Sequence, residues 1–134
     1  MTFFGFVFDG FSTVYALVCN GGEYEGSFSV PVAVFRDKEE ADRRCEAINS
    51  RQGEFEAHCS AMWNYINNVW GENNPYPEGK GDLRSKWHDA KQKAQIDFLA
   101  ARGLVDPLEQ AIVASFSWEE DKPYMKVDKL LFQG

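Results

Sequence analysis

The side chains best suited to nucleophilic or metal chemistry are three cysteines and two histidines, and their spacing brings none of them together. His58 adjoins Cys59 and His88 adjoins Asp89, but neighbouring residues of a helix point about 100° apart. A Cys–His nucleophile would therefore need a partner from elsewhere in the fold. The sequence contains no CxxC spacing, glycine-rich phosphate loop, hydrolase motif or zincin motif. We therefore predict no catalytic residue, no metal site and no cofactor, and a protein that is not an enzyme.

Cations and aromatic rings occur together in one segment, residues 80–93. If this segment is helical, Arg84 and Lys91 lie on one side of Trp87 and Lys93 lies on the other. The arrangement suits either contact with nucleic acid or long basic side chains that border a buried apolar stripe. The formal net charge of −7 disfavours general binding to a phosphate backbone. Nucleic-acid or nucleotide binding through these four residues is therefore the alternative function, and nucleic acid is not the partner we expect.

Three other regions are predicted to contact a partner protein. Tyr76 lies in a polar loop, residues 71–81, which is longer than most connections. Ile96 and Leu99 point away from the main apolar stripe of their helix, so another segment covers them or they form a partner or self-association surface. The third region is an acidic turn made of Glu119, Glu120 and Asp121. These regions favour a protein partner, with a homodimer as a further possibility.

The elements that must position these residues begin and end with strands. Alternating apolar residues predict strands over residues 3–8, 11–19, 28–34, 112–118 and 125–131. Asp9 and Gly10 suit a two-residue turn between the first two strands. Pro31 cannot donate a hydrogen bond to a ladder, so its strand is expected at an edge of the sheet or bulged.

Helices are predicted between these strands. The first has Asp37 as its N-cap and buries Ala41, Cys45 and Ile48. The second carries a broad apolar stripe over residues 54–70. The third runs from an Asp82 cap to Arg102, with Gly103 as the C′ residue. Its predicted buried stripe consists of Leu83, Trp87, Ala90, Ala94 and Phe98.

Together these patterns predict an α+β fold of two layers, an antiparallel sheet of four to five strands with about three helices packed on one face. The 134 residues suit a single domain, in which a helical insertion of about residues 54–103 separates an N-terminal from a C-terminal hairpin. Three cysteines within apolar patterns indicate reduced core thiols. Without a basic leader or a membrane-length apolar run, the expected location is cytoplasmic.

Four short segments resemble small uncharacterised proteins of phages and mobile elements, which share a hairpin, an Asp-capped helix and a closing hairpin. The segments are VYALV at residues 14–18, GEY at residues 22–24, VAVF at residues 32–35 and the capped helix at residues 37–49. The resemblance covers residues 12–50 and extends to residues 108–132. It implies a phage-type accessory protein acting in the host cytoplasm, and it supplies no functional residue. Many small acidic proteins of that origin bind and block a host complex, as anti-CRISPR and other anti-defence inhibitors do.

The leading hypothesis is therefore a non-enzymatic protein that binds and inhibits a host or competitor protein complex through its surface. An immunity protein that neutralises a toxin is a close variant of this hypothesis. Nucleic-acid or nucleotide binding is the second class of function. A small hydrolase or transferase built around Cys59 or His88 is the third.

Overall fold

The computed structural model describes residues 11–22, 26–79 and 81–133, and these residues form an α+β fold. Three strands and four helices follow one another in the order β1 (Phe11–Gly21), β2 (Phe28–Phe35), α1 (Lys38–Asn49), α2 (Gln52–Tyr65), α3 (Gly81–Ala101), α4 (Pro107–Ser115) and β3 (Tyr124–Gln133). Helix α2 continues into a π-helical turn (Ile66–Trp70) and a last α-helical turn (Gly71–Asn73). Across the described residues, no helix has both the length and the apolar character needed to span a membrane.

The chain divides into two compact units. Residues 1–52 and 121–134 form the first, here called the sheet unit, and residues 53–120 form the second, here called the helical unit. The sheet unit holds all three described strands together with α1, and the helical unit holds the remaining helices. The residues predicted to bind a partner or nucleic acid fall in the helical unit, with Asp121 as the exception.

The described sheet is antiparallel throughout, with β1 between β2 and β3. Residues 16–19 of β1 are all buried, as expected for a central strand. The register between β1 and β2 shifts where Leu17 pairs with Ala33 and Val18 pairs with Pro31. Pro31 therefore lies in a strand at the edge of the described sheet and next to a bulge, which confirms the expectation drawn from its missing N–H.

Helix α1 starts directly after β2, as predicted. The Asp37 carboxylate accepts a hydrogen bond from the backbone N–H of Glu39 at 3.0 Å, so it caps the first turn. Ala41 and Ile48 are buried, and the helix packs on the sheet. At its end, the side chain of Asn49 donates to the carbonyl of Met125 at 2.9 Å and accepts from the N–H of Met125 at 2.8 Å. This pair of bonds fastens α1 to β3.

The prediction of a strand over residues 112–118 is wrong, because Pro107–Ser115 forms α4. The side chain of Asp106 accepts from the N–H of Leu108 at 2.9 Å, and Pro107 occupies the first helical position, where its missing N–H costs nothing. This helix start outweighs the short alternation of apolar residues that follows it. No C-terminal hairpin forms among the described residues, and β3 pairs with β1 instead. The predicted strand at residues 3–8 and its turn at Asp9 and Gly10 lie outside the described residues.

Helix α3 buries a different side from the one predicted. Leu99 is fully buried and Ile96 is half-buried, whereas Leu83 and Ala90 of the predicted stripe are exposed and its other members, Trp87, Ala94 and Phe98, are half-buried. The physical reason is that α3 packs against both α4 and the π-helical turn, so its apolar residues are divided between two neighbours. Leu99 is therefore a core residue of the helical unit and offers no surface to a partner. The predicted helix end is confirmed, since Gly103 has a φ of 97°.

Candidate protein-binding surface

An exposed aromatic residue stands at the centre of a packed cluster in the helical unit. Tyr76 is 48% exposed, and its ring meets the ring of Trp87 edge-on, with centroids 4.9 Å apart. The ring of His88 lies 5.9 Å from that of Tyr76 and 5.1 Å from that of Trp87. The guanidinium carbon of Arg84 lies 5.6 Å from the Tyr76 centroid, within cation–π range. These four residues are called the Tyr76 cluster below.

The loop that carries Tyr76 is tied to α3 through Asn74. The indole N–H of Trp87 donates to the carbonyl of Asn74 at 2.7 Å, and the Asn74 side chain donates to the carbonyl of Trp70 at 2.9 Å. Trp70 in turn packs on Trp87, with centroids 5.5 Å apart. Asn74 thus ties the loop to the helical segments before and after it, two residues ahead of Tyr76.

The π-helical turn Ile66–Trp70 contributes to this arrangement because Trp70 is its last residue. A Cβ atom on Gly71 would lie 2.9 Å from the carbonyl oxygen of Ile66, a distance that real Cβ contacts do not show. Glycine is therefore required where the wider turn closes. Single π-helical turns are frequent at functional sites, and this one sets the position of an indole that supports the Tyr76 cluster.

The four residues predicted to contact nucleic acid are divided by the structure. The ammonium of Lys91 lies 5.2 Å from the ring centroids of both Trp63 and Trp87, and Arg84 lies over Tyr76. Lys93 instead forms an ion pair with Asp97 at 2.6 Å. Lys93 also lines a separate groove with Tyr65 and Phe98. Arg84, Trp87 and Lys91 are therefore brought together, and Lys93 is not among them.

Three shallow hollows of the helical unit have lining residues in common. Trp63 lines one hollow with Ser117 and Glu119, and lines a second with His88 and Lys91. Lys91 also lines the third hollow, together with Trp70 and Trp87. Glu119 is thus linked to His88 and Trp87 of the Tyr76 cluster through hollows that share Trp63 and Lys91 as lining residues. These residues, together with the rest of the Tyr76 cluster, are called the contact surface below.

The other predicted contact residues lie in different settings. Ile96 is half-buried and lines the same hollow as Trp63. Glu120 is exposed, and its N–H donates to the Ser117 hydroxyl at 3.2 Å. Asp121 belongs to the sheet unit, where its carbonyl accepts from the N–H of Gly22 at 2.8 Å. Glu119 and Glu120 therefore belong to the helical unit and Asp121 to the sheet unit.

Neighbouring His58 and Cys59 point to different partners, as their helical spacing predicts. Nδ1 of the buried His58 accepts from Nε of Arg102 at 3.0 Å, and its Nε2 lies 3.6 Å from the carboxylate of Glu54. The Cys59 thiol donates to the carbonyl of Phe116 at 3.4 Å. This imidazole and thiol therefore do not form a nucleophile–base pair. In the part of the chain that the structure describes, no three His, Cys, Asp or Glu side chains group as a metal site would require.

The other two thiols have raised pKa values. Burial raises the pKa of Cys19 to about 12, and the charge of Asp121 adds to the rise. Burial also raises the pKa of Cys45, with smaller contributions from Asp42 and Glu46. An activated cysteine needs a lowered pKa, so both thiols are held in their unreactive form. None of the three cysteines forms a disulfide, and Cys19 and Cys59 are buried as predicted, whereas Cys45 is half-buried.

Sequence reasoning treated two residues of the contact surface as core and overlooked a third. The apolar stripe predicted over residues 54–70 includes Trp63 and Trp70, although two large rings seven residues apart are a signal for a partly exposed edge. Asn74 was overlooked because its backbone carbonyl, rather than its side chain, holds Trp87. A hydrogen bond from a side chain to a distant backbone carbonyl cannot be predicted from a residue pattern.

No protein-family model matches the chain, and no curated protein and no solved structure matches it. The likeness of four short segments to phage-encoded hairpin–helix proteins stays a resemblance between sequences. The function proposed next is therefore drawn from side-chain geometry and charge.

Proposed function

We propose that this protein binds another protein through the contact surface and thereby inhibits it. The observation that carries the proposal is the exposed Tyr76 ring, packed at its edges by Trp87 and His88 and covered by Arg84. Tyrosine, tryptophan and arginine are the residues most often found at energetic hot spots of interfaces. A ring that is already held in place loses little conformational entropy on binding, which favours affinity.

The acidic character of the protein indicates the charge of its partner. The chain carries 21 acidic against 14 basic residues, and the exposed Glu119 belongs to the contact surface, with the exposed Glu120 next to it in the chain. Complementary charge steers association and disfavours wrong partners. We infer a partner with a basic rim around a pocket that receives an aromatic ring, such as a nucleic-acid-handling complex of a host or competitor. A toxin neutralised by an immunity protein would present the same chemistry.

Nucleic-acid binding is supported less well by the same geometry. Arg84 and Lys91 lie over different rings, Tyr76 and Trp87, and Lys93 is paired with Asp97, so these cations do not form a row. Of the two other lysines in residues 80–93, Lys86 is exposed on α3 and Lys80 lies outside the described residues. A track for a phosphate backbone needs several unpaired cations in a row, and α3 also carries exposed acids, Asp82 and Asp89.

The proposal is tested by affinity capture from host lysates with three forms of the tagged protein. Wild-type protein and Tyr124→Ala should retain the same stoichiometric partner, whereas Tyr76→Ala should lose it. Tyr124 is a matched control because it is a tyrosine of the sheet unit with 53% exposure. With the purified partner, Tyr76→Ala should weaken binding by about 2 kcal/mol or more, roughly thirtyfold, as expected for a hot-spot anchor.

Two results would refute the proposal. One is capture of the same partner by wild type and Tyr76→Ala with equal affinity, which would remove the contact surface from the interaction. The other is the absence of any stoichiometric partner across several candidate hosts. Circular dichroism of the Tyr76→Ala variant provides the folding control, since an intact spectrum attributes the loss to the surface.

A further inference from the structure

A cleft between α3 and α4 has a lining unlike the rest of this acidic protein. Its volume is about 410 Å³, and its walls include Trp63, His88, Lys91, Gln92 and Gln95, with small residues of α4 opposite them. No carboxylate lines it among the described residues, although the chain contains 21 Asp and Glu residues. A volume of this size suits a small ligand, and the lining suits one that is neutral or anionic.

Gln95 is the residue that points to a ligand. Its side chain is only 8% exposed and lines the cleft, yet within the described chain no group hydrogen bonds to its amide. Gln110 on α4 is equally buried, and its amide donates to the carbonyl of Leu104 at 2.8 Å. The Gln95 amide atoms keep solvent contact at the cleft wall, so they are open to the cleft. An amide in that position can bind both a donor and an acceptor of a ligand.

The remaining groups define the chemistry of that ligand. Gln92 provides a second amide, and the two together match the alternating donors and acceptors on the edge of a nucleobase. The half-buried Trp63 provides an aromatic wall of the kind on which bases stack. Lys91 contacts two indoles, and no carboxylate within the described residues pairs with it. Its charge is therefore available to a phosphate at the cleft mouth.

From this combination we propose that the α3–α4 cleft binds a nucleoside monophosphate. The base lies along Trp63 with its edge at Gln92 and Gln95, and the phosphate lies at Lys91. A lipid or an aliphatic acid would leave two amides unpaired, and a free inorganic anion would leave the aromatic wall unused. This site requires no partner protein, so its existence does not depend on the inhibitory function proposed above.

The test is protein-observed NMR on the isolated, isotope-labelled chain titrated with AMP, GMP, CMP and UMP to millimolar concentration. At least one of them should produce saturable shifts of the Gln92 and Gln95 side-chain amides and of the Trp63 indole N–H. Gln95→Leu should weaken that binding about tenfold, the loss expected for a buried hydrogen bond to a ligand. Lys91→Met should weaken binding of the monophosphate and leave the weaker binding of the corresponding nucleoside unchanged.

Three outcomes would overturn the assignment. They are the absence of saturable shifts with all four monophosphates, equal shifts with inorganic phosphate alone, and unchanged affinity in Gln95→Leu. Gln92→Ala serves as a second variant on an exposed position of the same helix, so a misfolded Gln95→Leu protein would not leave the site undecided. Its affinity should fall in the same direction as that of Gln95→Leu, and an unchanged affinity counts against the amide pair.

Discussion

Replacing Gln95 with leucine should leave the unliganded protein as stable as wild type or more stable, whereas the same change at Gln110 should destabilise it. Both residues are 8% exposed in the helical unit, but only Gln110 has a hydrogen-bond partner, the carbonyl of Leu104. Removing that partner loses the bond and leaves a buried carbonyl unpaired, at a cost of about 1–3 kcal/mol. Replacing Gln95 loses no hydrogen bond within the described chain, because its amide faces the cleft, and leucine adds apolar area at a mostly buried position. We therefore expect Gln95→Leu to gain between zero and about 1 kcal/mol.

The assay is urea unfolding followed by tryptophan fluorescence. All four tryptophans of the chain lie in the helical unit, so their emission reports the unit that contains both glutamines. The midpoint of unfolding multiplied by the slope gives the free energy of unfolding for each variant. The two variants should differ by about 2 kcal/mol, which exceeds the extrapolation error. Gln92→Leu, at an exposed position, should change stability by no more than about 0.5 kcal/mol.

Equal destabilisation by Gln95→Leu and Gln110→Leu would refute the reasoning. It would mean that the Gln95 amide contributes to folding through a partner in solution, and that it is not held open toward the cleft. A gain in stability for Gln95→Leu combined with loss of nucleotide binding would instead identify a residue whose polarity serves the ligand at the expense of folding.

Two further predictions concern the sheet unit. Asn49→Ala removes both hydrogen bonds to Met125 and should destabilise the sheet unit by about 1–3 kcal/mol, measured as faster amide hydrogen exchange along β3. Asn20→Ala, which removes a buried amide nitrogen without a partner in the described chain, should cost less. The pKa of the Cys19 thiol is raised from 9.0 to about 12 by burial, so its contribution to stability is present below pH 9.0 and is lost as the pH rises toward 12. Cys19→Val should flatten this alkaline loss in urea titrations across that range, and an unchanged pH profile would contradict the raised pKa.

Much of the fold could be predicted because its signals are local. The Asp37 cap, the alternating residues of β2, the helical stripe from Phe55 to Ile66 and the positive φ of Gly103 each depend on a few neighbouring residues. The error at residues 112–118 has the same origin. Two local signals competed there, and the Asp106 and Pro107 helix start proved stronger than a short alternation.

The sequence predicts several individual residues of the candidate sites, but it does not predict which of them come together. Tyr76 and Arg84 were assigned from sequence to different functions, and they meet because Trp87 holds the loop through the carbonyl of Asn74. The sequence contains no signal that singles out Gln95, because a glutamine on a helix is ordinarily solvated. Only the packing of α4 against α3 makes it a buried amide at the wall of a cleft.

By itself, the sequence determined the start of α1 at Asp37, the alternation of β2 and the end of α3 at Gly103, because caps, turns and periodicity act over a few residues. The tertiary structure decided which residues of α3 are buried, because this helix has apolar residues on two sides and packs against both α4 and the π-helical turn. That choice placed Leu99 in the core, left Leu83 exposed and brought Lys91 between two indoles. It thereby created both the contact surface and the α3–α4 cleft.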